Sequence, residues 1–278
     1  MTGHAPGVYD IPEAEYFADP ALSCSGAKLL LPPSCPALFR YRQDHPEHKD
    51  VFDQGSAAHR MVLGAGPDIA LVEAPDWRGK AAREAKEAAY TEGKTPLLYA
   101  DAMKIAAMAG VVRQHPVAGA LLDPERGEPE RSLFWVDEDT GVHRRARLDW
   151  WLPTGDFGRV IAVDYKTCTS ADPGVIAKAV ANYGYYMQDA WYTDGIRALF
   201  PDHDDPAFVF VFQEKEPPYL VTVAQLDDDA RAAGRARNRQ AIERFRDCIE
   251  ADSWPGYSDD IAYISLPPWA ARSMGVNA

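Results

Sequence analysis

A carboxylate and a lysine lie two residues apart at the end of an apolar segment near the middle of the chain. Residues 160–167 read VIAVDYKT and contain Asp164 and Lys166. Because side chains alternate between the two faces of a β-strand, the carboxylate and the ammonium should point the same way. A metal-binding carboxylate beside a lysine that can orient water is an arrangement suited to metal-assisted hydrolysis.

A second carboxylate, Asp149, is placed to meet the first one. Residues 142–152 predict the preceding strand, and a polar turn follows at 153–158. If the two strands pair antiparallel, Asp149 and Asp164 converge, and two close carboxylates favour a hard cation such as Mg²⁺ between them. Spacing alone leaves open a cross-strand salt bridge in which Lys166 neutralises one aspartate. The residues predicted to share a face of the earlier strand are Arg145, Arg147, Asp149 and Trp151.

The elements around these residues predict an α/β protein. Helices are expected at 23–31, 36–43, 52–63, 79–90 and 101–115, strands at 132–137, 142–152, 160–167, 207–212 and 219–223, and further helices at 173–199 and 226–251. Helices, then a mixed sheet, then helices indicate one domain over 1–278. Its parts are a mainly helical 1–125, a sheet core at 126–225, and a long helix with a tail at 226–278.

The charge distribution gives conflicting indications about a nucleic-acid partner. The formal net charge of −13 opposes a nucleic-acid partner, because phosphate binding depends on lysine and arginine. Two stretches, 143–147 and 231–246, are nevertheless strongly basic. From the first, Arg145 and Arg147 are candidates for contact with DNA. The second could equally be a solvated helix face.

The remaining bulk features indicate a soluble, cytoplasmic protein with no membrane partner. No apolar run is long enough to span a bilayer, and the first residues have neither a basic start nor an apolar stretch. The wide cysteine spacings favour free thiols over a zinc site or a disulfide framework. The four cysteines are Cys24, Cys35, Cys168 and Cys248.

Three polar residues on predicted helices could complete a site. His59 lies on an early helix, and Gln188 and Tyr192, four residues apart, share a face of the helix after the strands. Taken singly, each is more typical of ordinary helix packing than of catalysis. Their order along the chain, together with Asp149 and the Asp164–Lys166 pair, is more specific than any one of them.

This ordered set resembles the RecB-like branch of the PD-(D/E)xK nucleases. The segments RLDWW, VDYKT, YYMQDAWYTDG and WPGYSDDIAYISLPPWA resemble more closely the C-terminal nuclease domain of RecE-like exonucleases. The resemblance covers about residues 24–270. The usual proline before the first aspartate is absent, since Leu148 stands there.

The resemblance implies a role for each matching residue. Lys166 corresponds to the catalytic lysine, and Glu130, with Glu128 close by, corresponds to a further acidic catalytic position. Gln188 and Tyr192 correspond to a helix motif that contacts DNA or supports the site. The implied metal ligands are His59, Asp149, Asp164 and the backbone carbonyl of Tyr165.

The resemblance further implies a restriction-endonuclease-like fold and a Mg²⁺-dependent exonuclease, with Mn²⁺ able to substitute. Double-stranded DNA ends would be the substrate, degraded 5′→3′, and a single-strand annealing recombinase and a homotetramer are the expected partners. The cysteine spacing predicts no iron–sulfur cluster. Alternatives are an endonuclease, CRISPR-adaptation-type or single-strand nuclease of the same fold, a non-catalytic DNA-binding module, or an accessory protein that binds through its Pro/Trp-rich tail.

Overall fold

The computed structural model describes residues 3–45, 51–153, 158–203, 205–267 and 269–270, with the backbone alone for 51–56. The strands are β1 (Gly7–Tyr9), β2 (Leu22–Ser23), β3 (Ile69–Val72), β4 (Thr95–Leu98), β5 (Glu128–Val136), β6 (His143–Leu152), β7 (Ile161–Cys168), β8 (Ala207–Glu214) and β9 (Val221–Ala224). The helices are α1 (Glu13–Ala18), α2 (Cys24–Leu29), α3 (Pro36–Asp44), α4 (Val51–Leu63), α5 (Lys80–Thr91), α6 (Tyr99–Gln114), α7 (Pro116–Leu121), α8 (Pro173–Tyr183), α9 (Tyr185–Leu199) and α10 (Asp228–Glu250).

A mixed, mostly antiparallel sheet forms the centre of the fold. Its strand order is β1-β5-β6-β7-β8-β9, with β2 paired to β6 off this path, and β3 and β4 form a separate parallel pair. Only β7–β8 and β2–β6 are parallel within the described part of the large sheet. The predicted antiparallel pairing of β6 with β7 is confirmed, whereas residues 154–157 of the predicted turn lie outside the described residues.

Helices cover both faces of the sheet, which explains the alternation in β7. Val160 and Ala162 pack with α2, α9 and α10 on one side. Ile161, Val163 and Tyr165 pack with α4, α6 and α7 on the other. A strand buried on both faces is apolar along its length, so the polar Asp164 and Lys166 stand out there. The α/β fold class is confirmed.

The structure departs from the predicted elements at two places. Four short strands, β1 to β4, lie in the region expected to be helical. Strands of two to four residues are too short to show periodicity, and Pro96 inside β4 argues against a strand. The helix predicted over 173–199 is divided at Gly184, whose φ of 63° is left-handed. In the described part of the chain, no helix has the length and apolarity required to cross a bilayer.

Candidate active site

The site begins where β6 and β7 separate. Their paired residues end at Trp150 and Val163, and further along β6 the short strand β2 becomes the neighbour. Asp149 lies at this opening, and its Oδ2 accepts a hydrogen bond from the backbone N–H of Tyr165 at 3.0 Å. The Asp149 carboxylate therefore bridges the opening between the two strands, because it binds the residue that follows Asp164 on β7.

Asp164 is almost fully buried and is held from two directions. Gln188 Nε2, from α9, donates to Asp164 Oδ1 at 2.5 Å. Lys166 Nζ lies 2.5 Å from Asp164 Oδ2 as an ion pair, although Oδ2 has no partner with hydrogen-bond geometry. Burial opposes the charge of Lys166, but the carboxylates of Asp164 and Asp149 raise its pKa. The lysine is therefore a cation that neutralises its neighbour on the same strand, a version of the salt bridge that spacing left open.

The surroundings of Asp149 disfavour the ionised form of its carboxyl. Burial first, and then the charge of Asp164, raises the pKa of Asp149 to about 6, while His59 and Lys166 act in the opposite direction. His59 Nδ1, from α4, lies 3.7 Å from Asp149 Oδ2. The His59 ring meets the edge of Tyr165 with centroids 5.5 Å apart. His59 thus approaches Asp149 from the side of the sheet that α4 covers.

The strand register places Glu130 opposite Asp149, but its carboxylate points elsewhere. The pairs on either side are Pro129–Trp150 and Arg131–Leu148. Glu130 Oε2 lies 2.7 Å from Arg147 Nη2. Its φ of 54° is left-handed, which costs a residue with a side chain of order 1 kcal/mol. This strain beside the carboxylates is consistent with a functional position, although Arg147 engages the carboxylate.

The arginines predicted to contact DNA are engaged inside the protein. Arg145 is buried and donates to the backbone carbonyls of Tyr16 and Asp19. Arg147 donates to Ile11 O at 3.0 Å and to the Ser132 hydroxyl at 2.9 Å. Both guanidinium groups therefore tie the N-terminal segment to the sheet, and the structure does not bring them together with Asp149.

The basic stretch on α10 is partly neutralised by carboxylates of neighbouring elements. Arg231 pairs with the buried Asp189 at 3.4 Å, and Arg235 pairs with Asp194 at 3.4 Å. Arg239 pairs with Asp137 at 2.8 Å. These contacts fasten α10 to α9 and to the turn after β5, and they pair three of the six arginines in the stretch with carboxylates outside α10.

Tyr192 lies one helical turn from Gln188 but faces the core. Its ring meets the edge of Phe208 with centroids 5.3 Å apart. Burial raises the pKa of its hydroxyl well above the usual value. Of the two predicted helix residues, Gln188 reaches Asp164, and Tyr192 packs behind it.

The sequence analysis did not identify three residues that lie around the site, which are Lys28, Tyr185 and Gln213. Lys166 Nζ lies 5.0 Å from the ring centroid of Tyr185, and Lys28 Nζ, from α2, lies 5.8 Å from the same centroid. Gln213 on β8 accepts the Tyr165 hydroxyl at 2.6 Å. Tyr185 precedes Gln188 by three residues and shares its helix face, a signal that could have identified it. Lys28 and Gln213 come from distant segments.

A known protein family matches most of the chain. Residues 23–267 match the family described as a PDDEXK-like domain of unknown function, DUF3799. The chain therefore belongs to this family, and its domain has the PD-(D/E)xK nuclease fold. No curated protein matches the chain.

One solved structure shares the fold. A crystal structure from Eubacterium rectale, of a protein provisionally described as an exonuclease, superposes with a TM-score of 0.63 at 12% identity. The match covers 96% of this chain and 100% of that one. The protein called SSO0001 matches with a TM-score of only 0.29 at 12% identity, over 73% of this chain and 86% of that one, which is too low to indicate a shared fold.

Proposed function

We propose that this protein is a divalent-metal-dependent exodeoxyribonuclease that degrades linear double-stranded DNA from its ends. The observation that carries the proposal is the opening between β6 and β7, where Asp149, Asp164 and Lys166 meet within a PD-(D/E)xK fold. Mg²⁺ is the proposed ion, with Mn²⁺ able to substitute. The 5′→3′ direction and a role in phage-type recombination rest on the resemblance to RecE-like exonucleases.

The donor set fits a hard cation. Asp164 Oδ2 is a buried carboxylate oxygen that meets the Lys166 ammonium without hydrogen-bond geometry, and Asp149 bears an unfavourable charge interaction with Asp164. A cation held by both carboxylates would relieve each of these costs. His59 and the Tyr165 carbonyl are the proposed further ligands. No group of three potential ligand side chains is already gathered among the described residues, so binding has to draw the ligands together.

In hydrolysis, a water oxygen bonds to phosphorus as the bond from phosphorus to the 3′ oxygen breaks, and that oxygen takes a proton. A bound Mg²⁺ supplies positive charge for the phosphate oxygens and lowers the pKa of water. Lys166, fixed by Asp164 and the Tyr185 ring, places an ammonium that orients the attacking water and stabilises charge developing on phosphorus. Gln188 fixes the orientation of Asp164. Glu130 is proposed as a supporting acidic residue.

Assembly and partners are proposed on the same resemblance. A homotetrameric ring around DNA would keep an acidic chain on its substrate by topology, and an annealing recombinase would take up the exposed strand. Size measurement in solution tests the first proposal, and co-purification with a single-strand annealing protein tests the second. A strictly monomeric protein that digests DNA processively would contradict the ring.

The decisive experiment compares digestion of linear double-stranded DNA with that of closed circular DNA, in Mg²⁺ and in EDTA. We expect wild type to degrade only the linear substrate, only with Mg²⁺. Lys166→Ala should lose at least about a hundredfold in rate, because a positioned charge in the transition state contributes on that scale. Lys104→Ala, an exposed lysine on α6, is the matched control.

Each other outcome has a distinct meaning. Cutting of the closed circle would make the protein an endonuclease of the same fold. Full activity in a folded Lys166→Ala protein would refute the assignment of the active site. No cleavage of either DNA by the wild type, in Mg²⁺ or Mn²⁺, would contradict the proposed function.

A further inference from the structure

Lys28 is a partly buried lysine beside the candidate active site that lacks a carboxylate partner. Its Nζ donates to the backbone carbonyl of Tyr183 at 2.9 Å. It also approaches the Tyr185 ring whose other neighbour is Lys166. Among the described residues, no acidic side chain lies within ion-pair distance of it. Burial lowers the pKa of Lys28, so its charge is maintained at a cost.

Such a cation is suited to an anionic ligand. An ammonium has three donors, and the contacts of the described residues use one of them, to the Tyr183 carbonyl. Partly buried charges without a partner are unfavourable unless a ligand supplies one. Lys28 and Lys166 approach a common ring, so an anion at Lys28 would lie close to the phosphate undergoing hydrolysis. A neighbouring backbone phosphate of the same strand has this charge and position.

Tyr183 supplies an aromatic surface next to this lysine. It ends α8 with a residue exposure of 65%, and its ring centroid lies 5.7 Å from that of Tyr185. The left-handed Gly184 and the bond from Lys28 to the Tyr183 carbonyl fix the backbone that follows the ring. An exposed ring on a fixed backbone offers a stacking surface, which any nucleobase can use once it leaves the duplex.

We propose that Lys28 and Tyr183 together bind the nucleic-acid strand beside the scissile phosphate, the ammonium holding an adjacent phosphate and the ring stacking on an unpaired base. The inference rests on the proposed nuclease function and narrows its substrate. The DNA that contacts Lys28 and Tyr183 is single-stranded. Frayed or single-stranded ends therefore bind better than blunt ends. Tyr185 is the shared support beneath Lys28 and Lys166.

The test measures DNA binding by fluorescence anisotropy in EDTA, with the full chain and a short labelled DNA, either single-stranded or a blunt duplex. Lys28→Gln keeps a donor for the Tyr183 carbonyl and removes the charge. We expect it to weaken binding of both DNAs and to lower the salt-dependence slope by about one. Lys28→Arg should restore both. Tyr183→Ala should weaken single-strand binding at least about fivefold, the loss of one stacked base, whereas Tyr183→Phe should not.

Controls come from the opposite layer of the fold. Lys104→Gln and Tyr99→Ala, both exposed on α6, should leave affinity and slope unchanged. An unchanged slope in Lys28→Gln, or equal losses in Tyr183→Ala and Tyr183→Phe, would overturn the inference. If the wild type cleaves DNA and these variants bind normally, this inference is refuted and the proposed function is not. A wild type that neither binds nor cleaves any DNA would remove the proposed function as well.

Discussion

Asp149 lies beside Asp164 at the opening between β6 and β7, and its carboxyl is one-fifth exposed. Its pKa is raised from the model-peptide value of 3.8 to about 6, first by burial and then by the charge of Asp164. Above pH 6 the carboxyl is ionised in both the folded and the unfolded protein, and only the folded protein bears the cost. A folded-state pKa of about 6 for Asp149 destabilises the metal-free fold above that pH by up to roughly 3 kcal/mol.

Asp149→Asn should therefore stabilise the metal-free protein while abolishing cleavage. At pH 7.5 in EDTA we expect the free energy of unfolding to rise by about 1–3 kcal/mol. The gain should disappear below about pH 4, where the wild-type carboxyl is protonated in both states. Denaturant unfolding at the two pH values measures this. Mg²⁺ should raise the melting temperature of wild type and not of the variant. A variant less stable than wild type at pH 7.5 would contradict the prediction.

At the scale of elements, the close approach of α9 to α10 requires a residue without a side chain at position 234. A Cβ at Gly234 would lie 2.1 Å from Tyr186 O and 2.9 Å from Ala190 Cβ. The helices must separate to admit it, and α9 carries Gln188. We expect Gly234→Ala to cost at least about 2 kcal/mol of stability, as overpacking does. It should also slow cleavage by displacing Gln188 from Asp164.

The matched control is another helical glycine, Gly110 in α6, where a Cβ would meet nothing within 4 Å. Gly110→Ala should stabilise the protein by up to about 1 kcal/mol, because alanine favours helix, and should leave cleavage unchanged. Thermal unfolding and digestion rates of the two variants measure both effects. Equal stability changes in the two variants would show that the helix contact tolerates a methyl group.

The N-terminal segment is held by a pH-sensitive contact. His4 Nδ1 lies 2.7 Å from Asp19 Oδ2, and the imidazole stacks on Phe134. The hydrogen bond to Asp19 raises the pKa of His4, against an opposing effect of burial. A raised pKa means that this stabilisation is complete below about pH 6.5 and is lost as pH rises through the folded-state value.

His4→Gln should accordingly matter at pH 6 and much less at pH 9. At the lower pH we expect hydrogen exchange in β1 to become about fivefold faster, equivalent to about 1 kcal/mol of local opening. His143→Gln, an exposed histidine at the start of β6, is the control and should have no effect at either pH. Because exchange chemistry itself depends on pH, variant and wild type are compared at each pH separately. A larger effect at pH 9 would reverse the assigned sign.

At the scale of the whole molecule, local pattern predicted the centre of the fold better than its surroundings. The alternation of apolar residues in β7 placed Asp164 and Lys166 on one face, and helix spacing put Gln188 and Tyr192 on one face of the helix that follows the strands. The contact of Gln188 with Asp164 is visible only in the structure. The fate of Arg145 was not predictable in this way, because its acceptors lie 126 and 129 residues away. Lys28 was missed for the same reason, its contact spanning 155 residues.

The distribution of charge predicts how this protein meets DNA. The net charge is −13, and carboxylates or backbone groups engage most of the arginines on β6 and α10. Few cations of these two elements remain for phosphates, and each phosphate contact contributes about −0.9 to the slope of log affinity against log salt. We expect a slope no steeper than about −3, against about −6 to −9 for proteins with many phosphate contacts.

Anisotropy titrations of wild type with linear DNA between about 50 and 200 mM salt, in EDTA, measure this slope over the range in which it is usually determined. A weak salt dependence together with strong dependence on a DNA end would mean that the local site, and not the general surface, holds the substrate. That combination also leaves room for assembly around DNA to prevent dissociation. A slope steeper than about −5 would instead require an extended basic surface, and the ion pairs of α10 would then have to open on binding.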